Sequence, residues 1–515
     1  MNNRKLQAGW DYHNQTKHSL QSVRASTHFL DWENQPLPFK IYSDLQALPL
    51  PHQLSSPGVP ALTAVSAPSG KDGRLLDHQT LAEILHFSAG ITKRRSYPGG
   101  EILFRAAACT GALYHIDLYL ICGALPDLDA GVYHFGPHDF ALRKLRAGDY
   151  RELVVRASGN EPAVAPAPVI LACASTYWRN AWKYQARAYR HCYWDNGTIL
   201  ANLLAAAGTR GVASKVVLGF VDTAVARLLG LDPLREGVLS LVPLGASATP
   251  GSAPTIETLT LQTVPLSKRE IDYPAIRAMH DASSLESEAE VMEWRAQSIA
   301  DTGSSAAQAN LPARRIFPLR HIDDSEIPRD SLEQVIQRRG STRNFSREAI
   351  SFSELSTMLY RSTRGVPLDC LQPGVSLNDV YLIVNAVEDL PSGAYFFHRD
   401  RLVLELLKEG DFRREAGYLG LSQAIPADAS VDVFFMAELK RVLEAMGNRG
   451  YRAAQLDASI TAGRLYLSAY ALGLGASGLT FFDDDVTEFF SPHAAGKSVT
   501  FLIALGKSVR TAGKF

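Results

Sequence analysis

Five short strings of this chain occur twice, in the same order, and that repetition constrains its fold more than any other feature. Gly131-Val132-Tyr133-His134-Phe135 is answered by Gly393-Ala394-Tyr395-Phe396-Phe397. Arg187, Tyr189, Arg190 and Asp195 are answered at the same internal spacing by Arg449, Tyr451, Arg452 and Asp457. Leu218-Gly219-Phe220-Val221-Asp222 is answered by Leu479-Thr480-Phe481-Phe482-Asp483, Pro243-Leu244-Gly245 by Ala504-Leu505-Gly506, and Arg94-Arg95-Ser96 by Arg338-Arg339-Gly340-Ser341. An ordered series of matches marks an internal duplication. Two copies of one fold in one chain can reproduce the contacts of a symmetric homodimer.

The 515 residues divide accordingly. Residues 1–72 form an N-terminal wrapping segment, 73–250 the first copy, 251–325 a connector and 326–515 the second copy. Apolar spacing predicts a helix over 78–92, strands at 131–135, 141–145, 169–174, 215–221 and 239–245, two helical stretches over 178–208, and a helix over 331–337. The stretch 113–120 reads as strand or helix, and the Pro- and Ser-rich residues 46–72 read as irregular chain. The connector carries one helical pattern over 285–296 and a low-complexity patch at 302–309. The fold class is α+β: in each copy a central sheet, antiparallel or mixed, flanked by helices.

Composition excludes several classes. A net charge of −1, with 46% apolar and 20% charged residues, is ordinary for a globular chain and disfavours nucleic acid as a partner. Five cysteines without a CxxC pair argue against a disulfide framework or a zinc site, and the histidines show no HExxH spacing, so no metal is expected. The polar stretch Met1–Trp10 has no hydrophobic signal core, and apolar runs such as Leu113–Ala124 are too short or interrupted to span a bilayer. A cytoplasmic chain without membrane spans is expected. Gly473, Gly475 and Gly478 form a GxGxxG string, but no acidic residue follows at the right distance and no βαβ pattern surrounds it, so a Rossmann domain is not supported.

Arg338-Arg339-Gly340-Ser341-Thr342-Arg343-Asn344-Phe345 combines guanidinium forks with hydroxyl donors, a set suited to a phosphate and a ribityl chain. The plainer alternative is a solvated basic turn. The string resembles the opening Arg-x-Ser-x-Arg/Lys-x-Phe motif of nitroreductases, which bind flavin mononucleotide (FMN) at a dimer interface. By that resemblance Arg339, Ser341 and Arg343 contact phosphate and ribityl, and Lys507 closes on the phosphate. Gly475, Ala476 and Ser477 then belong to a loop beside the flavin ring. Cys109-Thr110-Gly111-Ala112-Leu113-Tyr114 resembles the lid segment of the SagB-type dehydrogenases, a nitroreductase branch that oxidises azolines in modified peptides. It departs from that pattern in Cys109-Thr110 and in His115. The resemblance makes Cys109, Thr110, Gly111, Ala112 and Tyr114 cofactor contacts. It also makes Lys183 and Tyr184 a catalytic pair, against the plainer reading of an amphipathic helix with a snorkelling lysine.

The two interface sites of such a pseudo-dimer are unequal in sequence. One joins Arg339, Ser341, Arg343 and Lys507 to the Thr110–Tyr114 lid and Lys183-Tyr184. The other offers Arg94-Arg95-Ser96, Gln372-Pro373-Gly374-Val375, no lysine after Gly245, and Ala445-Met446 where the first has Lys183-Tyr184. Each lost charge-assisted bond is worth about 1.5–3 kcal/mol, so one FMN per chain is expected. The expected activity is flavin-dependent oxidation of an azoline or related heterocycle in a peptide or small molecule. The alternatives are a nicotinamide-dependent nitro- or quinone reductase and a non-catalytic scaffold in a biosynthetic complex. A homodimer of pseudo-dimers stays open.

Overall fold

The computed structural model describes residues 2–66, 76–97, 100–246, 250–297 and 315–509. Its two halves are built on the same sheet. In the first, strands Ala47–Pro49, Ala141–Ala147, Gly131–Gly136, Ile116–Cys122, Val169–Thr176 and Glu236–Leu244 lie side by side in that order. In the second, the order is Ile316–Pro318, Val403–Glu409, Gly393–His398, Asp379–Val384, Val431–Ala437, Ser498–Gly506 and Gly475–Leu479. Every pairing in both sheets is antiparallel. Strands Ile116–Cys122, Val169–Thr176 and Glu236–Leu244 are buried along their whole length. This explains their near-continuous apolar runs, since neither face of the sheet there meets water.

The halves meet through two long helices, Ala188–Thr209 and Arg449–Ala471, which are buried on nearly every face. An all-round buried helix has little amphipathicity to read. They cross where side chains vanish: a Cβ on Gly197 would stand 1.9 Å from Ser459 Oγ, and one on Gly463 would stand 2.6 Å from Ala201 Cβ. A second approximate two-fold contact joins the short helices Ala61–Ser66 and Leu332–Arg338. The Ala61 N–H donates to Asp330 O at 3.0 Å, and the Leu332 N–H donates to Val59 O at 3.1 Å.

The repeated arginines and aspartates supply the cross-half bonds. Arg187 and Arg190 of the first half donate to Asp483 of the second at 2.9 and 2.6 Å, while Arg449 and Arg452 of the second donate to Asp222 of the first at 2.5 and 2.7 Å. All six side chains are buried.

Several expectations are corrected. Residues 46–72 are not uniformly irregular: they contain strand Ala47–Pro49 and the buried helix Ala61–Ser66. The stretch 215–221 forms no strand. It makes isolated bridges, Val217 to Leu241 of the sheet edge, Val216 to Leu368 of the other half and Val221 to Leu285 of the connector, so its pairing is divided among three partners. The connector holds two helices, Pro274–Ala282 and Glu288–Ala296, rather than one. The patch 302–309 lies outside the described residues. Arg94-Arg95-Ser96 is not the counterpart of the Arg338–Ser341 string. It sits in an exposed hairpin, Ile91–Tyr97 with Gly100–Arg105, after helix His78–Ala89, whereas Arg338 ends the helix that partners Ala61–Ser66. No helix among the described residues is long and apolar enough to cross a membrane. No group of three His, Cys, Asp or Glu there is arranged to hold a metal ion.

Candidate functional site

One cavity of about 250 Å³ opens on the seam between the halves. Its first-half wall is the loop 108–111, the end of helix Tyr177–Tyr184, and one face of the long helix that carries His191, Asp195 and Thr198. Its second-half wall is Ser341 and Arg343, Tyr466, the end of strand Gly475–Leu479 with Thr480, and Phe501.

The loop is held by Asp195. Its Oδ1 accepts from the Thr110 N–H and Oγ1–H at 2.8 and 2.6 Å, and its Oδ2 accepts from Cys109 Sγ at 3.1 Å and lies 2.9 Å from His115 Nε2. Asp457 does the same in the second half, accepting from Ser376 Oγ, the Leu377 N–H and Asn378 Nδ2 at 2.6–2.9 Å. The turn needs Gly111: its φ is +63°, and a Cβ there would stand 2.9 Å from Tyr184 Oη. The hydroxyl of Tyr184 is thereby laid against the loop backbone. Burial, followed by Asp195, pushes the Tyr184 hydroxyl and the Cys109 thiol well above their ordinary ranges, so both stay protonated.

Lys183 Nζ stands 5.5 Å from the centre of the Tyr184 ring. Burial and then the Arg343 guanidinium lower the pKa of Lys183, so its neutral amine is more accessible than that of a solvated lysine. His191 packs edge-on against Tyr184 at 4.5 Å and tilted on Trp194 at 4.8 Å, with Nδ1 at 2.9 Å from Asn180 Oδ1. Burial keeps it neutral. Three buried polar atoms of the cavity residues have no hydrogen-bond partner among the described residues: His191 Nε2, Ser477 Oγ and Thr480 Oγ1. Such atoms are costly unless a ligand or water satisfies them.

Of the residues singled out from sequence, Lys183, Tyr184, Cys109, Thr110, Gly111, Ser341, Arg343 and Ser477 line this cavity together. Arg339, Gly475, Ala476, Lys507, Ala112 and Tyr114 stand behind or beside it. Arg339 spends its nitrogens on carbonyls, those of Ala106 and Arg105 across the seam at 2.9 and 3.0 Å and that of Gly340 at 3.1 Å. Gly475, Ala476 and the cavity-lining Ser477 belong to a strand, not a loop, and Ala476 O accepts the Thr342 N–H at 2.9 Å. Lys507 lies beside the Arg343 segment, since its carbonyl accepts the Ser346 N–H at 2.9 Å, and its Nζ is 3.8 Å from Glu348. Tyr114 braces the loop, its Oη accepting the Arg105 N–H at 3.1 Å, and Ala112 continues the turn with φ +54°.

Sequence reasoning missed His191, Trp194, Thr198, Tyr466, Thr480 and Phe501 as cavity residues. His191 and Thr198 sit four before and three after the repeated Asp195, on one helical face, and that spacing was a usable signal. Nothing local marks Tyr466 or Phe501.

The Nitroreductase family model matches residues 72–246 and 387–507. The trifolitoxin-processing protein TfxB of Rhizobium leguminosarum bv. trifolii is 28% identical over 163 residues, 30% of this chain and 44% of TfxB. The microcin B17-processing protein McbC of Escherichia coli is 28% identical over 144 residues, 27% of this chain and 49% of McbC. The chain thus spans about half the length of these two relatives. A crystal structure from Anabaena variabilis, assigned as a nitroreductase, superposes with a TM-score of 0.75 at 25% identity and covers 97% of this chain and 99% of its own.

Proposed function

The chain belongs to the nitroreductase family, in a form with two copies fused, and from that premise we propose that it is an FMN-dependent dehydrogenase acting on an azoline or related heterocycle of a peptide or small molecule. The observation that carries the proposal is the meeting of Lys183 and Tyr184 with Ser341, Arg343 and the unpartnered Ser477 and Thr480 hydroxyls around one cavity. The donor set fits the cofactor. Arg343 supplies positive charge for a phosphate, with Lys507 beside the cavity, Ser341 and Ser477 supply hydroxyls for a polyol, and Trp194, Leu479 and Phe501 supply apolar walls for a flat ring. Arg339 holds the seam beneath that set. A bound flavin supplies the two-electron acceptor that such an oxidation requires.

The remaining work belongs to side chains. Dehydrogenating a ring also means taking a proton from carbon, and a lysine does so only as the neutral amine. Lys183, with its pKa lowered by burial and by Arg343, is the base. Tyr184, kept protonated, orients the ring through its hydroxyl against the Gly111 turn. Kinship with two proteins named for processing trifolitoxin and microcin B17 supports a peptide-derived substrate.

The cofactor reading is tested by reconstituting the purified chain with FMN and comparing flavin absorbance with protein concentration. One flavin per chain is expected. Two per chain, or colourless protein that refuses FMN, overturns the reading. Rapid anaerobic bleaching by NADPH, with no reduction by an azoline peptide, would assign the chain to the nicotinamide-dependent reductases instead.

A further inference from the structure

The pseudo-symmetry that generates the cavity above generates a second one on the opposite side of the long-helix pair, and its chemistry is different. It has a volume of about 790 Å³, within the range of small-molecule sites. Leu204 lines it at the position where the first cavity has Tyr466, at the same spacing that relates Asp195 to Asp457. The loop 365–374 lines it where the first has the Cys109–Gly111 turn. The counterparts of Lys183 and Tyr184 are Ala445 and Met446, and Met446 is fully buried in the core. The proton-handling pair is therefore missing.

A buried cation stands in this cavity. Arg464 is only 7% exposed, donates Nη1 to Gly365 O at 2.7 Å, and makes no ion pair among the described residues. Burial lowers its pKa to about 10. Its counterpart in the first half is the neutral Asn202, which bonds Phe87 O and Ala106 O at 3.1 Å. At this position of the long helices, then, only the second cavity carries a positive charge. A guanidinium taken from water without an ion-pair partner is expensive to hold.

The Asp457 carboxylate, seven residues earlier on the same helix, is the one acid that acts on Arg464 electrostatically, but it forms no ion pair with it and already accepts from Ser376, Leu377 and Asn378. The other charged groups nearby do not neutralise it either. The Asp369 carboxylate already accepts from the Leu218 and Gly219 N–H groups at 2.8 and 3.0 Å and from Arg295 Nε at 3.1 Å. Lys215 is paired with Glu161 at 2.7 Å. Arg364, exposed at the rim, donates to Tyr360 Oη at 3.1 Å and lies over that ring at 4.7 Å, keeping its charge. The remaining walls include Val65, Leu204, Val366, Leu368 and Pro373, all apolar.

We propose that this second cavity is a binding site for a small organic anion, an apolar body bearing a carboxylate or phosphate, with the anionic group on Arg464 and Arg364 and the body against Leu204 and Leu368. The site does not depend on the flavin reading, because it shares no residue with the first cavity.

The test is fluorescence titration of the full, FMN-treated chain with 8-anilinonaphthalene-1-sulfonate, an aromatic anion that brightens in apolar surroundings. Saturable binding of about one probe per chain is expected, displaced by decanoate or by phenyl phosphate but not by decanol. Whichever of the two anions displaces at lower concentration identifies the preferred head group. Arg464→Met should weaken probe binding at least tenfold while flavin absorbance and melting temperature stay as in the parent. If Arg464→Met does not fold, Arg364→Met at the exposed rim carries the same reading. Parental probe affinity in the variant that folds, displacement by decanol as good as by decanoate, or occupation of the site by a second FMN overturns the proposal. Flavin content measured on the same samples separates its failure from failure of the cofactor reading.

Discussion

Asp483→Ala should destabilise the chain by about 3–5 kcal/mol, the usual cost of removing one partner from a buried charge cluster. The carboxylate is buried and accepts from Arg187 at 2.9 Å, Arg190 at 2.6 Å and the His18 N–H at 2.8 Å. Both guanidiniums also hold the N-terminal segment: Arg187 donates to Thr16 O and Arg190 to His13 O. Deleting the acid leaves two buried cations facing each other and loosens three parts of the chain together. Asp222→Ala should cost a similar amount, because Arg449 and Arg452 stand around Asp222 in the same way. The two clusters share no residue, so their effects should add. The pair together then approaches the whole net stability of a typical domain, about 5–15 kcal/mol.

The pH dependence of these clusters follows from the direction of their shifts. Burial pushes both carboxyls up, but the facing arginines outweigh it and hold Asp483 and Asp222 below the usual carboxylate range. A depressed folded-state pKa gives stability that is fully present above the unfolded value, about 3.9, and is lost as pH falls through the folded value. Acid unfolding should therefore set in below about pH 4, and the parent should lose its advantage over Asp483→Ala there. Urea unfolding at pH 7 and pH 3, followed by circular dichroism and by tryptophan fluorescence, to which Trp194 contributes, measures both. Trp194 reports the seam because its Nε1 donates to Gln455 across it at 2.7 Å. A change of less than about 0.5 kcal/mol at pH 7, the size of an ordinary surface substitution, would remove the clusters from any account of how the halves hold together.

These clusters also show what sequence could and could not yield. The repeat of Arg187, Arg190 and Asp195 in Arg449, Arg452 and Asp457 was legible because spacing survives duplication. Which arginine meets which aspartate was not, because the partners lie hundreds of residues apart and swap halves. Strands such as Val169–Thr176 were legible from their apolar runs. The stretch 215–221 carries an equally apolar run yet forms no strand. The Val216 N–H donates to Pro367 O and its carbonyl accepts the Asp369 N–H, so one side of the segment is pledged to the other half. Arg339 was legible as a basic motif residue, but its use on the Arg105 and Ala106 carbonyls depends on where the seam falls. The nitroreductase-like motifs brought Lys183, Gly111 and Arg343 to attention. His191 stayed unnoticed because a neutral, buried imidazole leaves no distinctive pattern.

Lys183→Met should reduce the rate of single-turnover flavin reduction by an azoline peptide by about 10²–10⁴-fold, the range associated with loss of a positioned general base. Methionine keeps the length and apolar stem of lysine, so the packing against Tyr184 should persist and FMN content should be unchanged. Lys183→Arg should be as inactive as Lys183→Met, because a guanidinium does not give up its proton. That comparison separates a base from a merely cationic contact, which arginine would restore. The parent rate should rise with pH through the lowered pKa of Lys183, and the rise should vanish in both variants. Arg343→Gln removes one of the two causes of that lowering, so the midpoint of the rise should move to higher pH. Tyr184→Phe leaves the ring and removes only the hydroxyl beside Gly111, so it should slow the same step without moving the midpoint. If both Lys183→Met and Tyr184→Phe reduce flavin at the parental rate, the pair has no part in the chemistry. The cavity must then be read as a site whose acid and base come from the substrate or from solvent.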